Sequence, residues 1–205
     1  VRYCLRVEAA LTAAHAEREG VGNDAEIEQL EAAAGNIDAA EVYQEEEKTH
    51  HNLRAVVNVF KRHIPEELRP LVHLGATSVD ILDTAQAMRF RDATLELLLP
   101  MVEALLVELI RLTEEHADTP QVGRTHGQFA VPVTLGFTFA EYVARLGKCI
   151  PEIERRAHGL RGKLRGAVGA YNATALVTPR PEEFERTVLA RLGLQPVEFA
   201  TQMAE

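Results

Sequence analysis

The chain has 205 residues, enough for one or two packed units with a sizeable core. Its 46% hydrophobic and 26% charged content excludes a disordered or fibrous chain, and 5% aromatics without Trp favour helices over a β-sandwich. A net charge of −9 with no run of Lys and Arg excludes general nucleic-acid binding, so an anionic ligand has to be met by local cations and oriented backbone N–H groups.

Residues 1–19 read as a first helix stopped by Gly20 and Gly22, and residues 24–34 as a shorter one ended by Gly35 and Asn36. Asp38 and Glu41 have the spacing of a capping box and open a helix expected to reach about residue 61. Thr49-His50-His51-Asn52 then falls in mid-helix, where adjacent histidines point about 100° apart and only one can face a given site squarely. Pro65 starts a short turn, residues 72–76 form a loop, and Thr77 or Ser78 reads as an N-cap, with Asp80 three residues after Thr77.

The helical pattern that follows extends to about residue 116. Within it Leu95, Leu98, Val102, Leu105, Leu109 and Leu112 alternate steps of three and four, and Pro100 predicts a kink or local opening. After the polar stretch 123–128, Pro132 suits the first turn of another helix running to about residue 165, in which Pro151 predicts a second kink. Its seam runs from Phe139 through Val143, Leu146, Ile150, Ile153, Ala157 and Leu160 to Leu164. Gly166, Gly169, Tyr171 and Asn172 end that helix, and a last one starts at Pro181 and is closed by Gly193. No hairpin is expected anywhere. Two regular seams imply an all-α fold, a long-helix bundle with the seam residues as core. The expected division is an N-terminal helical domain, 1–76, and an incomplete long-helix bundle domain, 77–205.

Three polar clusters lie outside the seams. Gly123-Arg124-Thr125-His126-Gly127-Gln128 brackets a cation, a hydroxyl, an imidazole and an amide with two glycines that allow a tight turn and close approach to a ligand. Thr77-Ser78 at a helix start offers orphan N–H groups and the positive dipole end to a carboxylate or phosphate. His50 and His51 add imidazoles. Each cluster alone has an ordinary reading as a loop, a cap or an idle histidine; together they suit acid-base chemistry on a small polyanion. Histidines at 51, 73 and 126 include no local ligand pair, and no carboxylate adjoins His126, so neither a metal nor another cofactor is expected. Cys4 and Cys149 belong to no metal-spaced or redox pattern, which favours a reducing cytoplasm, and no signal peptide or bilayer-spanning run is seen. The chain opens on Val1, already helical in pattern, and carries no stop signal at its end, so it reads as a piece of a longer protein.

These residues resemble the adenylosuccinate lyases of the fumarase and aspartase superfamily. The stretch 123–128 with Pro132 and Gly136 is similar to that family's GRTHGQ…P…G segment, and His73-x-Gly75-x-Thr77-Ser78-x-Asp80 to its HxGxTSxD loop. Gly166-Ala167-Val168-Gly169 resembles its GAVG segment and Thr201-Gln202 its late TQ pair. The resemblance implies an all-α homotetramer with active sites shared between subunits, acting on a nucleotide-like succinyl adduct. It implies β-elimination of fumarate from adenylosuccinate, giving AMP, and from SAICAR, in purine biosynthesis. His126 would be the general acid and His51 a second catalytic histidine. Thr77 and Ser78 would hold a carboxylate or phosphate, and Gln128, Gln202, His50 and Asn52 would contact substrate.

Two departures stand out. Asn52 occupies the place of the family's usual Asp, replacing a charged acceptor with a neutral amide. The superfamily's signature loop, roughly SSxMPxKxNP with the serine base, is absent from the 205 residues, which implies a catalytically incomplete portion lacking the extreme N-terminus and the C-terminal part. Argininosuccinate lyase, 3-carboxymuconate cycloisomerase and a non-catalytic helical oligomerisation module remain open alternatives.

Overall fold

The computed structural model describes residues 1–204. Two compact units are formed, one by Val1–Arg89 with the segment from Leu160 onward, the other by Phe90–Gly159.

The first unit is built on α1 (Arg2–Glu19), which is apolar on nearly every face: Leu5, Val7, Ala9, Ala10, Leu11, Ala13, Ala14 and Ala16 are all buried. A helix without a solvent stripe has to be surrounded. Around it lie α2 (Asp24–Asn36), α4 (Asn52–Arg62), a 3₁₀ turn (Glu66–Leu71) and α9 (Pro181–Arg191). The pair α3 (Ala39–Thr49) and α4 is antiparallel in sequence order and tied by Glu45, whose carboxylate accepts from Asn58 at 2.9 Å and Arg62 at 2.5 Å. Leu53, Val57 and Phe60 on α4 are fully or almost fully buried and contribute roughly 1.5–3 kcal/mol each. Two short parallel strands, β3 (Arg161–Gly162) and β4 (Gln195–Pro196), also belong to this unit, as does a one-turn helix, α8 (Thr174–Val177).

The helix expected to run from residue 39 to 61 is two helices. His50 adopts φ 51 as the C-cap of α3, and His51, extended at φ −148, is the N-cap of α4. The Asp38 carboxylate accepts from the Ala40 N–H, but Glu41 does not complete a capping box; it pairs instead with His63 at 2.8 Å. The break therefore moves both histidines from mid-helix to a helix junction.

α5 (Ser78–Ala93) leads into a π turn (Thr94–Leu98) and then α6 (Leu99–Glu115). The opening expected from Pro100 takes this form: proline lacks the N–H and crowds the carbonyl four residues back, and the wider turn, with Leu99 N–H bonded to the Thr94 carbonyl, accommodates it.

In the second unit α6 packs along α7 (Leu135–His158), joined by a β-hairpin the sequence reading did not anticipate. Strands β1 (Pro120–Thr125) and β2 (Gln128–Thr134) pair antiparallel, and His126 and Gly127 form its two-residue turn with φ 52 and 73. Two positive φ values define the type I′ turn whose twist suits a hairpin. Opposite the register shift, a Cβ on Gly123 would lie 2.5 Å from the Val131 carbonyl oxygen, so the bulged pairing requires glycine there. Pro132 lies in β2 rather than opening a helix; a two-stranded ribbon is all edge, where a missing donor is tolerated. Thr134 is the true N-cap of α7, accepting from Phe137 N–H at 3.1 Å, and α7 ends at His158 rather than near residue 165. Gly136 is buried: a Cβ there would meet the Thr113 carbonyl oxygen at 2.5 Å.

The two seams face each other but are only half-buried. Val102, Leu109, Leu112, Val143, Leu146 and Ile150 are intermediate in exposure, and Leu105 is exposed. Two helices cover one stripe of each other and no more, so Met101, Val107, Ile110, Phe129, Val131 and Phe137 also stand in solvent in this chain. The expectation that the seams form a closed core is met on one side only.

Candidate functional site

The loop before α5 is held in an uncommon shape. His73 has φ 64 and Gly75 φ 75, and a non-glycine residue in the left-handed region points to local constraint. Its far end is fixed by Asp80, which is fully buried. That carboxylate accepts from Thr77 N–H at 2.9 Å, Gly166 N–H at 3.0 Å, Arg165 N–H at 3.2 Å and Lys163 Nζ at 2.5 Å. Lys163 is also fully buried, and the Thr84 hydroxyl donates to its carbonyl and accepts from its N–H, both at 3.0 Å. The start of α5 and the glycine segment 166–169 are thus stitched together by one ion pair. Beside them Glu185, on α9, accepts from Leu164 N–H at 2.8 Å, Arg165 Nε at 3.2 Å and the Tyr171 hydroxyl at 2.6 Å. Burial, and next the Glu185 carboxylate, push the Tyr171 hydroxyl well above its usual titration range.

Against this scaffold lies a cavity of about 530 Å³ whose polar lining is Thr49, His51, Arg54, His73, Thr77 and Ser78. His51 Nδ1 accepts from the Arg54 N–H at 3.2 Å, so the neutral ring carries its proton on Nε2. The cavity therefore combines two imidazoles, three hydroxyls, a guanidinium and the positive end of a sixteen-residue helix, a set fitted to an anion that exchanges a proton.

Of the residues expected from sequence, His51, Thr77 and Ser78 come together here. Asn52 does not join them: as the first residue of α4 it turns away, accepts from Leu53 N–H, and lines a separate cavity of about 510 Å³ with Tyr3, Glu46, Gln86 and Arg89. His50 is exposed at the end of α3, its N–H bonded to the Glu46 carbonyl at 2.8 Å. Gln202 is exposed in the segment after β4, where Ala204 N–H reaches Asp83 at 2.8 Å. His126 and Gln128 belong to the second unit, exposed at the hairpin tip, with Arg124 stacked over the cross-strand Phe129 ring at 5.3 Å. Among the described residues the His126 ring has no hydrogen-bond partner.

A family model described as lyase matches residues 5–204. The chain belongs to this lyase family. Within it, the chain is 36% identical over 206 residues to an adenylosuccinate lyase from Pyrococcus horikoshii, covering 98% of this chain and 44% of the relative. It is 31% identical over 192 residues to an N-acetyl-S-(2-succino)cysteine lyase from Enterococcus italicus, covering 93% and 41%. The crystal structure of a fumarate lyase from Mesorhizobium sp. BNC1 superposes with a TM-score of 0.81 at 27% identity, covering 97% of this chain and 46% of that one. This lyase chain thus spans less than half the length of the proteins it matches, and its all-α architecture is that of the family.

Sequence reading missed several groups that line this cavity or build its scaffold: Arg54, Lys163, Glu185, Glu8 and His15. Glu8 and His15 had a legible signal, since each interrupts the apolar run of α1. His15 Nε2 donates to the Leu74 carbonyl at 2.9 Å, its ring lies 4.4 Å from that of Phe184, and its Nδ1 is buried without a partner. Burial lowers its pKa below the ordinary histidine value, against the Leu74 bond, which raises it. The unfolded chain therefore binds this proton at higher pH than the folded one, so stability is full above about pH 6.5 and falls as the pH drops below it. Denaturant titrations between pH 7 and pH 5 should show this loss, and His15→Phe should flatten it. An unchanged slope in that variant would count against His15 as its source.

Proposed function

We propose that the lyase containing this chain is an adenylosuccinate lyase, eliminating fumarate from adenylosuccinate to give AMP and from SAICAR. The observation that carries this reading is the cavity at the α5 start, where His51, Thr77 and Ser78 meet on a buried ion-paired scaffold. The 36% identity to the Pyrococcus horikoshii enzyme supports the choice of substrate.

In this reading Thr77 and Ser78, with the α5 N–H groups, hold a carboxylate or phosphate of the substrate. His51 offers Nε2–H to the reacting part, and His126 is the general acid that protonates the departing nitrogen once a base has taken the proton beside the carboxylate. Gln128, Gln202, His50 and Asn52 make further substrate contacts. The protein acts as a cytoplasmic homotetramer in which subunits share active sites, with residues 1–76 and 77–205 as its N-terminal and bundle domains. Half-buried seams and the apolar side chains exposed on the second unit support such assembly. Because the chain spans 44% of its relative, the 205 residues alone are catalytically incomplete.

The test is fumarate release by the product of the complete reading frame, offered adenylosuccinate, argininosuccinate and an S-succinylated cysteine side by side. Release from adenylosuccinate alone is expected. Preference for argininosuccinate or the thioether would reassign the substrate, with Asn52 the first residue to exchange for Asp. Turnover of adenylosuccinate by the 205-residue chain would refute incompleteness.

A further inference from the structure

Glu8 is the anomaly of the first unit. It sits at 0% exposure in α1, flanked by buried Val7, Ala9 and Leu11, and one of its oxygens, Oε2, has no partner. A buried carboxylate costs several kcal/mol unless it is paired. Its partner is His73, whose Nδ1 lies 2.7 Å from Glu8 Oε1. His73 is in turn one of the imidazoles lining the 530 Å³ cavity, its side chain 25% exposed.

A carboxylate can only accept, so the proton between the two groups belongs to Nδ1. That leaves Nε2, which nothing bonds among the described residues. The neighbouring His51 has the opposite arrangement, with Nδ1 committed as an acceptor and Nε2 carrying hydrogen. The cavity thus holds two imidazoles whose tautomers are set in opposite senses from outside it. The loop bearing His73 is clamped to the same helix a second time, through His15 and the Leu74 carbonyl, two turns after Glu8. Two bonds from α1 hold a loop with φ 64 at His73, which fixes the ring as well as its tautomer.

We infer that Glu8 is a positioning residue of the lyase site: it keeps the proton on His73 Nδ1 so that Nε2 is presented to the substrate as the complement of the His51 N–H. The inference rests on the cavity being the substrate site. It adds to that reading a residue buried in α1, outside the cavity lining.

The test uses the complete protein with ¹⁵N-labelled histidine, the His73 ring signals being assigned by their loss in His73→Asn. Wild type should show Nδ1 protonated. Glu8→Leu, which removes the acceptor, should move the proton to Nε2 and lower kcat on the order of 10-fold or more with a smaller change in KM. Glu8→Gln, which keeps an uncharged acceptor, should retain the Nδ1 proton and recover most of the activity. An unprotonated Nδ1 in wild type, a Glu8→Leu protein that keeps that proton, or a kcat within twofold of wild type would overturn the inference. If Glu8→Leu does not fold, the wild-type and Glu8→Gln spectra still decide. If wild type fails to release fumarate from adenylosuccinate, the substrate reading falls while the tautomer measurement still stands on its own.

Discussion

His126→Asn in the complete lyase should lower turnover of adenylosuccinate on the order of 10²-fold or more, the contribution of a positioned general acid, without altering helix content. The substitution separates chemistry from folding unusually well. His126 is exposed at the tip of the hairpin and its ring bonds to no described residue, so removing it breaks no hydrogen bond among the described residues. Its φ of 52 would strain most replacements, but Asn tolerates the left-handed region and is at home in type I′ turns. The β1–β2 register, closed by Thr125 against Gln128, is therefore kept. Steady-state kinetics beside far-ultraviolet circular dichroism decide the matter. A variant with unchanged kcat would remove His126 from the mechanism.

Lys163→Met should destabilise the protein by about 3–5 kcal/mol, the cost of leaving one member of a buried ion pair without its partner. Asp80 and Lys163 are both at 0% exposure, and the 2.5 Å contact between them joins the α5 start to the segment that carries Gly166. Three backbone N–H groups remain on Asp80 after the substitution, but they do not neutralise its charge, and methionine fills the volume without replacing the donor. For a protein of this size each 1 kcal/mol corresponds to roughly 2–4 °C, so thermal unfolding should move down by roughly 6–20 °C. A shift of only a degree or two would mean that the backbone donors alone satisfy Asp80. Loss of activity at temperatures well below unfolding would show that Thr77 and Ser78 depend on the same lock.

Legibility in the sequence varied with the range of the interaction. The helix starts at Asp24, near Ser78 and at Pro181 were readable because caps and prolines act over three or four residues. The hairpin escaped because its one alternating run, Phe129, Val131 and Val133, is shorter than the flanking helical seams, and because Pro132 also suits the opening of a helix. The break at His50 escaped for a different reason: no Gly or Pro marks it, and it is held by the Glu45 and Glu41 pairings between α3 and α4. Among the residues that line the cavity, His51, Thr77 and Ser78 stand out in the sequence by type and position. Lys163 and Glu8 do not, since an isolated charge reveals its partner only once the chain has folded.

By itself the sequence determined the all-α class, the amphipathic seams of α6 and α7, and the polar clusters that stand outside those seams. These follow from periodicity and from local backbone preference, which act within one helical turn. Only the tertiary structure decided that His51 shares a cavity with Thr77 and Ser78 while Asn52 faces another. It also decided that Asp80 is locked to Lys163 across 83 residues of chain and Glu8 to His73 across 65. Such pairings are chosen by desolvation: a charge enters the interior only where the whole fold delivers its partner to within hydrogen-bond distance, and no local pattern encodes that meeting.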